Sequence, residues 1–289
     1  MRVCKDDGVS DADPVVETRS GRRARERAQG TLDAPVLPAL ATVRRPLVTL
    51  ATVGGCALLA LCALAGQPPL AAAVLLAAGV LVWGWPALNT SPSRVGSSTV
   101  LAVSAIAAVT SVLVAREDPY LRHLPVGLAI SVMALFLHQL LRRDGRPRLT
   151  ESVAISSAGI AILASGAAYV PLALTPRGPE ALLVVAAAVA AGSVADLLAG
   201  VPRWRPAMLP LAMVLGAAAG LAAMAATGLT DWGAVPLLSV VCASVSHALR
   251  RVLCVLPPID TARGQVVAAA AGLLVCGVVA YVPARLLMG

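Results

Sequence analysis

The amino-acid sequence predicts an all-α, polytopic helical membrane protein with about nine transmembrane helices. Three observations lead there. Of the 289 residues, 58% are hydrophobic and only 13% are charged, too few charges to cover a soluble surface and about what a bilayer-embedded chain requires. Apolar runs long enough to cross a bilayer recur along nearly the whole chain after Pro46. These runs are continuous and do not alternate with a period of two, which excludes a transmembrane β-barrel.

Residues 1–45 are polar, acidic first (Asp6, Asp7, Asp11, Asp13, Glu17) and basic later (Arg19, Arg22, Arg23, Arg25, Arg27). Such a stretch lacks the apolar content to bury a core, so a disordered cytoplasmic tail and topogenic signal is expected. Residues 46–289 form the predicted membrane domain. Its first run, 46–66, follows Arg44 and Arg45, and the second, 69–88, ends in Trp83, Gly84, Trp85 and Pro86. The next runs cover 98–115, 124–141, 152–174, 180–200 and 207–229. The eighth, 235–249, is short, and the ninth covers 265–287. At about 1.5 Å per residue, runs of this length cross the hydrocarbon as helices.

Charge orients them. With the N-terminus inside, the inner gaps carry Arg94, then Arg142, Arg143, Arg146 and Arg148, then Arg203 and Arg205, then Arg250, Arg251 and Arg263. The outer gaps are neutral or acidic: Arg116 and Arg122 balance Glu117 and Asp118, Arg177 balances Glu180, and Asp231 stands alone. Every inner gap is net positive, as cytoplasmic loops are. The expected location is therefore the cytoplasmic membrane, N-terminus inside and C-terminus outside. Trp83, Trp85 and Trp204 fall at the inner interface in this scheme, and Tyr120, Tyr169, Trp232 and Tyr281 at the outer one. The formal charge of +8 is explained by these loops and the tail, so no nucleic-acid partner is expected.

An internal duplication is also expected. His138 followed by Arg142 and Arg143 returns as His247 followed by Arg250 and Arg251, and the segment 168–171 (Ala-Tyr-Val-Pro) returns at 280–283. Residues 69–174 and 180–287 would then be parallel four-helix repeats about an axis along the membrane normal.

Ionisable side chains within a membrane segment are costly and therefore functional candidates. His138, Asp196 and His247 qualify, all near the inner ends of their runs. With the neighbouring Arg142, Arg143, Arg203, Arg250 and Arg251 they would make a basic pocket for the phosphate of an anionic lipid. The bland alternative is that both histidines snorkel to the interface and Asp196 pairs locally with an arginine. Catalytic signatures are missing: there is no G-x-S-x-G elbow, no H-E-x-x-H helix and no pair of carboxylates. No pair of the six cysteines has C-x-x-C spacing, so neither a metal site nor a cofactor is expected. Small residues such as Gly54, Gly55, Gly159, Gly216, Gly220 and Gly272 read as helix-packing positions.

Residues 83–93 and 142–152 resemble segments of uncharacterised multi-pass integral membrane proteins of actinobacteria. The resemblance implies a helical membrane domain and no particular activity. Nine crossings are also shared with the phosphatidate cytidylyltransferases, but their acidic C-terminal signature has no counterpart around Pro257, Pro258, Ile259 and Asp260. The reading that follows is a non-enzymatic membrane protein that binds or moves an anionic amphipathic lipid at the cytoplasmic leaflet. Its alternatives are a scaffold that recruits partner membrane proteins to an envelope assembly, and a lipid-modifying enzyme using His138 or His247.

Overall fold

A computed structural model describes residues 42–143, 145, 147–230 and 232–287, with side chains as far as Arg285. The expected tail lies outside these residues except for its last four, and so do Asp144, Arg146 and Asp231. The helices are α1 (Pro46–Ala65), α2 (Gln67–Leu88), α3 (Arg94–Val114), α4 (Leu124–Leu141), α5 (Leu149–Ala167), α6 (Gly178–Val194), α7 (Met208–Thr227), α8 (Ala234–Leu253), α9 (Ala262–Leu274) and α10 (Gly277–Leu287). Short 3₁₀ segments follow α5 (Val170–Leu174), α6 (Ala195–Gly200 and Pro202–Ala207) and α8 (Pro257–Asp260). The described residues include no strand. Among them, nine spans are long and apolar enough to cross a membrane, α9 and α10 together making the ninth. The fold class predicted from the sequence is the fold observed.

Prolines in the first turns of α1, α2, α4 and α6 start these helices, where the missing N–H would have had no intrahelical partner. Three ends differ from expectation. The eighth span is not short: α8 runs 20 residues and takes in Arg250 and Arg251, because arginine is a good helix former and one of the two turns inward. The sixth span leaves α-geometry at Val194 and ends as the 3₁₀ segment carrying Asp196. The ninth is interrupted between Leu274 and Gly277. A break inside a membrane must have its freed backbone groups satisfied from neighbouring protein, and α5 does this. Ser165 Oγ donates to the Val275 carbonyl at 2.8 Å and accepts from the Val278 amide at 3.1 Å, while Tyr169 donates to the Leu273 carbonyl at 3.0 Å.

Helix α9 packs on α1, α2, α5 and α8, while α6, α7 and α8 pack on one another. Large apolar side chains such as Leu50, Leu61, Met133, Leu140, Leu237 and Val252 face outward, as lipid-facing residues do. Helix α8 is inside-out: its small and polar residues Ser239, Cys242, Ser246, His247 and Arg250 are buried. Glycine lets this face meet α7, since a Cβ on Gly216 would stand 2.4 Å from Ala243 Cβ and one on Gly220 1.9 Å from Ser239 Oγ. Packing is thus the role of these glycines, as expected. The aromatic belt is narrower than expected. Trp83, Trp204 and Trp232 are exposed, but Trp85, Tyr169 and Tyr281 are buried, and Trp85 donates to the Ile155 carbonyl at 2.8 Å. The two sets of four spans keep sequential neighbours but differ across the diagonal: α3 packs on α5 in the first, whereas α6 packs on α8 in the second.

Candidate functional site

The polar residues gather at the end of the bundle where α1 begins and α6 and α8 finish. Arg44 donates to the Leu197 carbonyl at 2.8 Å, Arg45 pairs with Asp260 at 2.6 Å, and Arg205 donates to the Ala199 carbonyl at 3.2 Å. Arg263 donates to the Trp83 carbonyl and stands 4.4 Å from the centre of that indole ring. Arg94, Arg143, Arg148 and Arg203 are exposed and sit in the loops or helix ends at the same end. The opposite end holds the Arg285–Asp118 pair and a long contact from Tyr120 to the Leu174 carbonyl.

Within the arginine-rich end, Asp196 joins two residues of α8. Its Oδ2 lies 2.7 Å from Arg250 Nε, and its Oδ1 lies 2.8 Å from His247 Nδ1. The Arg250 contact is a hydrogen bond, and the imidazole stands within ion-pair distance of the same carboxylate. Arg250 also donates through Nη1 to Ser246 Oγ, one helical turn earlier. The spacing dictates this geometry: Ser246 and Arg250 are at i and i+4, His247 and Arg250 at i and i+3, so all three share one face of α8. Gly272 of α9 makes room for the arginine, because a Cβ there would stand 2.9 Å from Arg250 Cγ. Arg250 is 1% exposed, and its Nη2 is buried with no acceptor among the described residues. Taking this charge out of water is expensive, and the Asp196 carboxylate offsets that cost.

The residues singled out from the sequence divide into two groups. Asp196, His247 and Arg250 form the cluster above. Arg251 is half-buried beside it and, with Arg45, Asp196 and Cys254, lines a crevice of about 10 Å³, room for about one water. His138, Arg142 and Arg143 belong to α4, which packs on α3 and α5. The His138 ring covers Gly96 of α3, where a Cβ would fall 1.8 Å from Cε1. Arg142 is buried and donates to Gln139 Oε1 at 3.2 Å, and Gln139 in turn donates to Ser152 Oγ at 3.0 Å. Arg143 is exposed. The single basic pocket expected of all these residues is therefore replaced by two separate arrangements. Nor does His247 snorkel, since it is 3% exposed.

The chain matches no protein-family model, no curated protein and no solved structure. Its chemistry rests on its own residues. Among those described, no three His, Cys, Asp or Glu side chains stand close enough to share a metal ion. Outside the spans, burial, followed by the charge of Asp196, pushes the Cys254 thiol up, so it is less of a thiolate at neutral pH than a free cysteine. The sequence alone assigned no site role to Ser246, Arg45, Asp260, Trp83 or Arg263. The turn spacing of Ser246 and Arg250 was a usable signal; the Arg45–Asp260 pair, 215 residues apart, left none.

Proposed function

We propose that this is a multi-pass protein of the cytoplasmic membrane, N-terminus inside and C-terminus outside, that binds an anionic amphipathic lipid in the leaflet at its arginine-rich end. The observation that supports this reading is the asymmetry of the bundle. Arginines dominate one end, where the described carboxylates Asp196, Asp260 and Glu151 pair with Arg250, Arg45 and Arg148. The excess of positive charge matches cytoplasmic loops and attracts anionic headgroups. Arg250 is committed to Asp196, so the headgroup falls to arginines at the rim, such as Arg143 and Arg263. The duplication of residues 69–174 and 180–287 belongs to the same proposal, resting on the paired His-Arg and Tyr-Val-Pro segments.

Native mass spectrometry of the full chain, extracted gently from its own membrane, tests the reading. A retained anionic phospholipid, preferred over zwitterionic ones, is expected. A bare protein, or partner proteins co-purifying without lipid, would overturn it and favour a scaffold.

A further inference from the structure

Between α1, α2 and α9 runs an apolar groove of about 190 Å³, lined among others by Gly54, Leu58, Ala73, Val80, Val266 and Leu273. Leu76 beside it is 61% exposed, so the groove opens sideways toward lipid. Its depth follows from the helices. Leu273 and Arg263 are ten residues apart on α9, as are Ala73 and Trp83 on α2, which corresponds to about 15 Å of rise. That is half of a hydrocarbon core about 30 Å thick, the depth of one leaflet.

The groove's arginine-rich mouth is marked by side chains of the right chemistry. Val80 and Val266 lie one turn from Trp83 and Arg263, and Gly84 lets α2 approach Arg263 and Val267 closely. Trp83 is 54% exposed, in keeping with an indole at headgroup level. The Arg263 guanidinium rests on that ring and uses Nη2 on the Trp83 carbonyl, which leaves further N–H donors in its planar fork. An arginine held by an indole face and its carbonyl is pre-set for phosphate. Asp260, three residues before Arg263, is paired with Arg45.

We infer that this groove seats one anionic phospholipid of the adjacent leaflet, its acyl chain against Gly54 and its phosphate on Arg263. The inference deepens the function proposed above and rests on it. Gly54 offers a clean test, because a Cβ built there meets nothing within 4 Å. Gly54→Leu therefore starts from open space and extends into the groove that Gly54 lines.

The experiment reconstitutes the full chain in phosphatidylcholine vesicles with and without phosphatidylglycerol and counts retained lipid by native mass spectrometry after mild detergent extraction. Wild type is expected to keep one phosphatidylglycerol in preference to phosphatidylcholine. Gly54→Leu, checked for an unchanged Tm, should lose the bound lipid. Arg263→Gln should keep a chain but lose about tenfold in headgroup preference, the scale of one charge-assisted hydrogen bond. If wild type binds phosphatidylglycerol and both variants do the same, the seat is wrong while the broader reading stands. If wild type shows no preference at all, the broader reading and the seat fall together.

Discussion

Asp196 Oδ2 lies 2.7 Å from Arg250 Nε, with the arginine 1% exposed and 54 residues further along the chain. The pair joins the 3₁₀ end of the sixth span to the last turns of the eighth, and its arginine is fully buried. Removing one member strands the other.

Replacing either partner alone, by Asp196→Asn or Arg250→Met, is expected to cost about 3–5 kcal/mol, because an uncompensated buried charge remains. The double replacement Asp196→Asn with Arg250→Met should cost well under the sum. Unfolding in micelles, arranged as a double-mutant cycle, measures this; additive losses would mean the two groups do not sense each other.

Ser165→Ala removes the side chain that serves both sides of the break in the ninth span. Two backbone groups lose their partner, and a destabilisation of about 1–3 kcal/mol is expected. Amide exchange at Val278 should accelerate with it. An unchanged exchange rate would show that another group satisfies the break.

The glycines separate into two kinds. Gly220→Val drives a side chain into Ser239 and is expected to cost about 1–3 kcal/mol through overpacking, with partial rescue by Ser239→Gly. Gly54→Ala meets only open space and should leave stability unchanged or raise it by up to about 1 kcal/mol through helix propensity. Thermal unfolding of the three variants decides between a packing face and a tolerant one.

Cys254 titrates above the usual thiol range, chiefly because it is buried and secondarily because Asp196 is near, with Arg45, Arg251 and Arg250 opposing. A raised pKa means less thiolate at neutral pH. In a variant that keeps only this cysteine, alkylation by iodoacetamide should be slower at pH 7 than for a free cysteine and should keep rising with pH beyond the point where the free thiol levels off. Asp196→Asn removes one raising charge and should speed the reaction at fixed pH. Reactivity equal to a free cysteine would contradict the burial.

Much of the fold was legible because the bilayer imposes a length and a composition on every crossing. Nine apolar runs could be counted, and loop arginines separated the two ends. Helix ends were less legible. Around Val275 only Gly277 hints at a break, and the side chain that satisfies it, Ser165, comes from another helix. Likewise Trp85 and Tyr169 read as interfacial rings until Ile155 and Leu273 supply buried carbonyls for them.

His138 and His247 make the same point at the site. Each is followed by paired arginines, and the sequence alone treats them alike. Helical spacing already differs, since the first arginine comes four residues after His138 but three after His247. Tertiary structure adds the rest: Asp196 stands opposite the second pattern, while Gln139 and Ser152 receive the first. The sequence by itself determined the number of spans and the end that carries the positive charge, because hydropathy and charge act locally along the chain. Only the tertiary structure decided which arginine is buried, which helix breaks and where a groove opens, because those depend on which side chains three different helices bring to one place.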